Sequence, residues 1–376
     1  MANKCAVCEP PLRSELFSSD QMEQHGKTLA ALHKLSPEYG PDQLLARLDG
    51  NERILTGTRS LLSEAITTDR RITPAGEWLL DNFYLIEEQI RMARRHLPKG
   101  YSRELPRLLD GFSAGLPRVY DIALETISHS DGRIDPHSLS RFVAAYQRVT
   151  ILKLGELWAI PIMLRLALIE NLRRVGARIA ADRLDRNQAD YWADRITEVA
   201  VKDPKSLILA IADMARSNPP LKSAFVAEFA RRLQGQGPAL AMPLTWIEQR
   251  LSESSLTIGH LVQSENQQQA SDQVSMSNSI GSLRFLGTMD WREFVETMSV
   301  VEQTLRKDVG GAYGKMDFST RDRYRHAVEK MAKNGRLSEG EVAAEAVRLA
   351  RESAANKDGG QDGNDRTSHV GYYLID

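Results

Sequence analysis

The sequence predicts an all-α protein made of multi-helix bundles of antiparallel helices, with no sheet. Three observations carry this expectation. Apolar residues recur at helical spacing over long stretches, as in Leu44, Leu45, Leu48, Leu55 and Leu62. Thr73-Pro74 and Asp135-Pro136 each place an N-capping side chain directly before a proline at the first helical position. No stretch shows the period-two alternation of a half-buried strand, and helices joined by short connections pack antiparallel.

Taken in order, residues 1–17 read as a flexible lead. Ser19 or Asp20 caps a first helix reaching about Lys34, and Pro41 opens a second that runs past Leu62. Thr73 starts a helix with Trp78, Leu79, Phe83, Ile86 and Ile90 on its apolar side, ended by Pro98. Residues 18–235 form one bundle around a central helix at 136–176, and 236–243 (QGPALAMP) is a linker. A second helical unit covers 244–355. Within it, Asp290 caps one helix, Gly335 ends another, and Ser338 with Glu341 forms a capping box. Residues 356–368 have the composition of a disordered linker, and 369–376 begin a further segment.

The central stretch, Phe142 to Val175, is apolar almost all round yet contains Glu156, Arg165 and Glu170. Glu156 and Glu170 project close to one line, whereas Trp158 and Arg165 share another face. A charge buried alone costs several kcal/mol or neutralises, so each requires a partner. Two readings follow: a core helix whose charges are satisfied internally, or a polar pocket lined by Glu156, Trp158, Arg165 and Glu170. Pro161 predicts a kink or a break. From Ala177 to Val199 acidic and basic residues alternate at helical spacing, the pattern of a solvated, ion-paired face.

Lys plus Arg (49) nearly balances Asp plus Glu (50), so no basic field recommends nucleic acid as a partner. Cys5 and Cys8 are a lone C-x-x-C, weak evidence for metal, and fit a reducing compartment. Met1 to Pro11 lacks the apolar core of a secretory signal. The most apolar run, Leu157 to Leu172, is interrupted by Arg165 and Glu170, so no transmembrane span is expected. Phosphate-binding glycine loops, G-x-S-x-G, H-E-x-x-H, D-x-D and histidine pairs at metal-ligand spacing are all absent. HSDGRIDPH partly resembles a calcium loop but has Phe142 where the twelfth-position acid belongs, which favours an ordinary turn. No catalytic residue, metal ligand or cofactor is assigned.

The most site-like cluster is MDFSTRDRYRHAVE, where Asp317, Arg321, Asp322, Arg325 and His326 fall within about three turns. Arg321 and Arg325 share a face at i, i+4 and suit a phosphate or carboxylate. The alternative is a salt-bridged helix start with Asp317 at the positive end of the dipole.

Several runs carry a family resemblance. PLRSELFSSDQMEQHGKTLA, PAGEWLLDNFYLIEEQIR, LPRVYDIALETISHSDGRID, GELWAIPIMLRLALIENLRR, SNSIGSLRFL, DWREFVETMSVVEQTLRKD, YGKMDFSTRDRYRHAVE and HVGYYLID, in this order, resemble the N-terminal region of cyclic β-1,2-glucan synthases. These are bacterial inner-membrane glycosyltransferases that use UDP-glucose. The resemblance implies a soluble helical fragment at the cytoplasmic side of the inner membrane, preceding the membrane and catalytic domains that would be its partners. It places no catalytic residue between Met1 and Asp376. The implied role is structural or regulatory; the alternatives are a module binding glucan or UDP-glucose, or a free-standing helical interaction protein.

Overall fold

A computed structural model describes residues 9–36, 40–98, 100–355 and 366–375. Its described residues contain α1 (Ser19–Leu32), α2 (Leu44–Thr67), α3 (Pro74–Asp81), α4 (Phe83–His96), α5 (Arg118–Ser128), α6 (Pro136–Gln147), α7 (Leu154–Lys202) and α8 (Leu207–Ser217). They continue with α9 (Ser223–Leu233), α10 (Ala241–Ser252), α11 (Ile258–Phe285), α12 (Trp291–Met298), α13 (Val300–Leu305), α14 (Phe318–Asn334), α15 (Glu339–Ala355) and α16 (Val370–Leu374). Among these residues β pairing is limited to two isolated bridges, Leu35 with Leu108 and Arg107 with Pro117. The all-α expectation holds.

Local chemistry sets most helix starts. The side chains of Thr73, Asp135, Asp290 and Asp317 accept hydrogen bonds from the first-turn amides of α3, α6, α12 and α14. Ser338 and Glu341 close the expected capping box, with Ser338 N donating to Glu341 at 2.7 Å and Glu341 N to Ser338 at 3.3 Å. The cap of α1 is Ser18, one residue earlier than expected, because its capping box with Gln21 satisfies two amides at once. The helix expected from Asp290 divides in two, since Ser299 adopts extended backbone and caps α13 through Glu302 N. Gly335 ends α14 in an extended conformation rather than a left-handed one.

The central helix expected at 136–176 is two helices. The chain leaves α6 at Gln147, and Glu156 turns back to accept from Lys153 N at 2.9 Å, which fixes the start of α7 at Leu154. From there α7 runs for 49 residues, roughly 70 Å, and continues through Pro161 without a break into two helices. Close packing on all sides outweighs the single backbone hydrogen bond that proline removes.

Three apolar cores result. The first unites α1–α6 and the N-terminal half of α7 with the end of α11 and α12. The second gathers Trp192 and Ile196 of α7 with Phe225 and Phe229 of α9 and Ile247 of α10, so it draws side chains from both sides of the 236–243 stretch. The third joins α13–α16, including Val370 and Leu374 from the last segment. The charged half of α7, expected to face solvent, buries Arg183, Asp185, Arg186 and Asp190, because α9 and α11 pack over it. Arg183 pairs with Asp190 at 2.8 Å, and Arg186 with Glu265 of α11.

The lead is fastened where it is described: Ser14 N and Phe17 N donate to the carbonyls of Ser128 and His129 at 3.0 and 3.1 Å. Cys5, Cys8 and residues 356–365 of the expected 356–368 linker lie outside the described residues, whereas Arg366–Ser368, expected to be disordered, form a short 3-10 turn. The calcium-like loop is a turn, with Asp131 and Gly132 at positive φ and Asp131 bound to Ser275 and Arg13.

Helices α1 and α6 meet at Gly26, where an added Cβ would lie 2.8 Å from the backbone oxygen of Phe142. A backbone atom cannot swing away as a side chain can. Gly26→Ala is therefore expected to destabilise the chain by about 1–3 kcal/mol. Denaturant unfolding checks this; unchanged stability would mean that the two helices separate freely.

Candidate functional site

The two buried carboxylates of the expected pocket on α7 are each met by guanidinium groups. Glu156, fully buried, receives both Arg118 Nε and Nη2 at 2.6 Å, a bidentate pair, while Arg118 Nη2 also donates to Ile151 O at 2.9 Å. Burial works against the Arg118 charge, and Glu156 more than offsets it, so this guanidinium titrates above its ordinary range. Glu170 sits among Arg47 at 3.1 Å, Arg173 at 2.6 Å and Arg174 at 3.0 Å, and accepts from Asn51 at 2.9 Å. Burial pushes its carboxyl upward, but the three guanidinium charges prevail and bring it down to about 2.

Arg165 differs. It is 5% exposed, bonds Gln89 of α4 at 2.8 Å, and has no carboxylate within ion-pair distance among the described residues. Burial lowers its pKa. Trp158 is half-buried and stands edge-to-face on Phe318 of α14, with centroids 6.2 Å apart.

That contact joins the two groups of candidates, because Phe318 also carries the guanidinium of Arg325 over its ring at 4.9 Å. Arg325 is fully buried. It binds Glu302 at 2.7 Å, Glu296 at 3.1 Å and Asp322 at 3.0 Å. Arg321 takes Glu296 at 2.8 Å and Glu302 at 3.3 Å. Glu302 is buried too. It accepts from Tyr313 at 2.7 Å and from Arg306 at 2.8 Å, and these bonds with Arg325 hold it below the usual carboxylate range against the effect of burial. Asp317 is exposed and caps α14; hydrogen bonds from Ser319 and Thr320 depress its pKa strongly. His326 is largely exposed, and its Nδ1 donates to Asp322 O at 2.8 Å.

Arg321 and Arg325 thus share a face, as the spacing required, and that face meets acidic side chains of α12 and α13. Sequence reading missed Arg118, Arg47, Glu296 and Glu302, the groups that complete these networks. One signal was present: Glu302 interrupts the apolar run VVEQTL just as Glu156 interrupts its own. The structure also has a groove of about 720 Å³ that the sequence did not reveal, lined by Glu64 of α2 with Arg70, Asn187, Asp190, Tyr191 and Glu198.

Glu170→Gln removes the anion that three arginines share, leaving Glu9 as the nearest carboxylate for Arg173 and Arg174. The expected cost at neutral pH is about 3 kcal/mol. The wild-type carboxyl titrates lower folded than unfolded, so its contribution is complete above about pH 4.5 and is lost as pH falls toward about 2. Denaturant midpoints of both proteins at neutral pH and at about pH 3 test this; the gap between them should narrow in acid.

No family model matches the chain. No helix among the described residues is long and apolar enough to cross a membrane. Over 348 residues, 92% of its length, the chain is 32% identical to the cyclic beta-(1,2)-glucan synthase NdvB of Rhizobium meliloti (strain 1021). It spans 12% of that relative's length. The resemblance read from the sequence is therefore borne out: nearly the whole chain is similar to one part of a cyclic β-(1,2)-glucan synthase.

Proposed function

We propose that the chain is the N-terminal helical region of a cyclic β-1,2-glucan synthase that uses UDP-glucose. In this reading it lies on the cytoplasmic side of the inner membrane and serves a structural and regulatory role, docked against the transferase and membrane portions of the enzyme. The observation that carries the reading is the similarity itself, which covers 92% of this chain but 12% of the relative. The polar clusters support a scaffold rather than a reaction centre, because almost every candidate charge is spent on an internal partner. An apolar edge supports docking. Leu35 bridges to Leu108, the adjacent Leu109 is bound to Lys34 through its backbone, and Leu35, Leu109 and Phe112 are all exposed.

A synthase carrying Leu109→Ser and Phe112→Ser tests this. The helical region alone should keep its unfolding midpoint, since neither side chain is buried in a core. Its association with the separately produced remainder of the enzyme should weaken by about tenfold or more, and cyclic glucan output should fall. A synthase lacking residues 1–376 that produced glucan at the full rate would sink the reading.

The groove favours a second reading, glucan binding. Tyr191 is 56% exposed there, beside Asn187 and Glu198, an aromatic face with polar groups of the kind that holds a sugar. Titration with β-1,2-glucan followed by intrinsic fluorescence is expected to show saturable binding that Tyr191→Ala weakens. A flat titration removes this reading and leaves docking in place.

A further inference from the structure

Folding brings together two histidines that stand far apart in sequence. His25 lies on α1, Glu125 on α5, and His129 at the C-cap of α5. His25 Nε2 is 2.8 Å from Glu125 Oε2, and His129 Nε2 is 3.3 Å from the same oxygen. The three donor atoms all lie within 4.8 Å of one another, and the side chains are only partly buried, so solvent reaches them. No motif announces the cluster, because local spacing supplies Glu125 and His129 but not the histidine 100 residues away on α1.

The hydrogen bond at the far side of His129 decides the chemistry. Its Nδ1 donates to the carbonyl oxygen of Glu15 at 2.7 Å. With the proton on Nδ1, the neutral ring presents a bare Nε2 lone pair to Glu125, whose ionised carboxylate only accepts. Two acceptors at 3.3 Å repel unless a cation lies between them. The ring is held against turning: Phe17 stacks on it with centroids 3.9 Å apart and planes 9° apart. Phe17 is itself fastened, its N–H donating to His129 O at 3.1 Å. On the other side His25 lies parallel to Phe142, with centroids 6.0 Å apart. A histidine that donates one nitrogen to a backbone carbonyl and presents the other to a neighbouring ligand has the outer-sphere arrangement of metal-bound imidazole.

We propose that His25 Nε2, His129 Nε2 and the Glu125 carboxylate bind one divalent transition-metal ion of the zinc type, with solvent completing the coordination. Zinc bonds of about 2.0–2.2 Å place neighbouring donor atoms about 3.3–3.5 Å apart in a tetrahedron. The two histidine–carboxylate separations are 2.8 and 3.3 Å and the two ring nitrogens lie within 4.8 Å of each other, so ligation draws the trio around the ion by side-chain adjustment alone. Two imidazoles with one carboxylate suit zinc, cobalt or nickel better than calcium or magnesium, which prefer all-oxygen shells. The ion would tie α1 to α5 and, through Glu15 and Phe17, hold the N-terminal lead on the bundle. This assignment does not depend on the synthase reading.

The test is zinc titration of the chelator-treated full chain by calorimetry, in a Cys5→Ser/Cys8→Ser background so that the N-terminal thiols cannot bind the metal. One zinc per chain is expected, with a higher thermal midpoint, and Co²⁺ should produce the visible absorption of a four-coordinate nitrogen–oxygen site. His25→Ala, Glu125→Gln and His129→Ala should each weaken binding by at least about tenfold, a loss that even outer-sphere changes cause. His137→Ala, at an exposed histidine outside the cluster, should leave it unchanged. Folding of each variant is verified by its metal-free midpoint; if one fails to fold, the others carry the test. Absence of stoichiometric zinc binding, or binding that survives the His25/His129 double substitution, overturns the assignment. So would a midpoint that responds to protonation near the histidine range and not to zinc, since a proton would then fill the gap.

Discussion

Everything in this molecule hangs on the requirement that charges inside α7 find partners. The helix runs through the first core and into the second, and Glu156, Glu170, Arg183, Arg186 and Asp190 travel with it into the interior. An uncompensated ion there would cost several kcal/mol. The partners come from several neighbours, Arg118 from α5, Arg47 and Asn51 from α2 and Glu265 from α11, while Arg183 and Asp190 pair with each other along α7. Apolar burial drives these helices together but is indifferent to register; a helix sliding by one turn would keep its grease and lose its ion pairs. The buried pairs therefore specify which surface of each neighbour faces α7.

The sequence disclosed what is local. The caps at Thr73, Asp135 and Asp290 and the box at Ser338 were legible because a capping side chain and its amide lie within three residues of each other. The break at Ser299 was not, since a serine after VETM reads equally well as a helix residue until its side chain is seen bonded to Glu302 N. The division of 136–176 was hidden for a related reason: Glu156 reads as a buried charge in a continuous helix, whereas it is also the acceptor that starts α7. Among the candidate residues, the need for partners was legible and their identity was not, because Arg118, Glu302 and Glu296 are joined to them by folding alone. The helical period likewise marked Arg183 to Asp190 as ion-paired, but it cannot say whether another helix lies on top.

The two clusters singled out in the sequence belong to one structure. Trp158 on α7 touches Phe318, Phe318 supports Arg325, and Arg325 binds carboxylates of α12 and α13. Glu339 of α15 adds a hydrogen bond from Leu154 N at 2.8 Å, at the positive end of α7. The first and third cores are thus linked through the first turns of α7, and the polar residues that looked like a binding site form that link.

The continuity of α7 through Pro161 has one more consequence. Because a single uninterrupted helix supplies side chains to both the first and the second core, neither core can lose its share of α7 without loosening the other. The two are therefore expected to unfold together, since Trp158 near the start of α7 and Trp192 some ten turns further on belong to one helix.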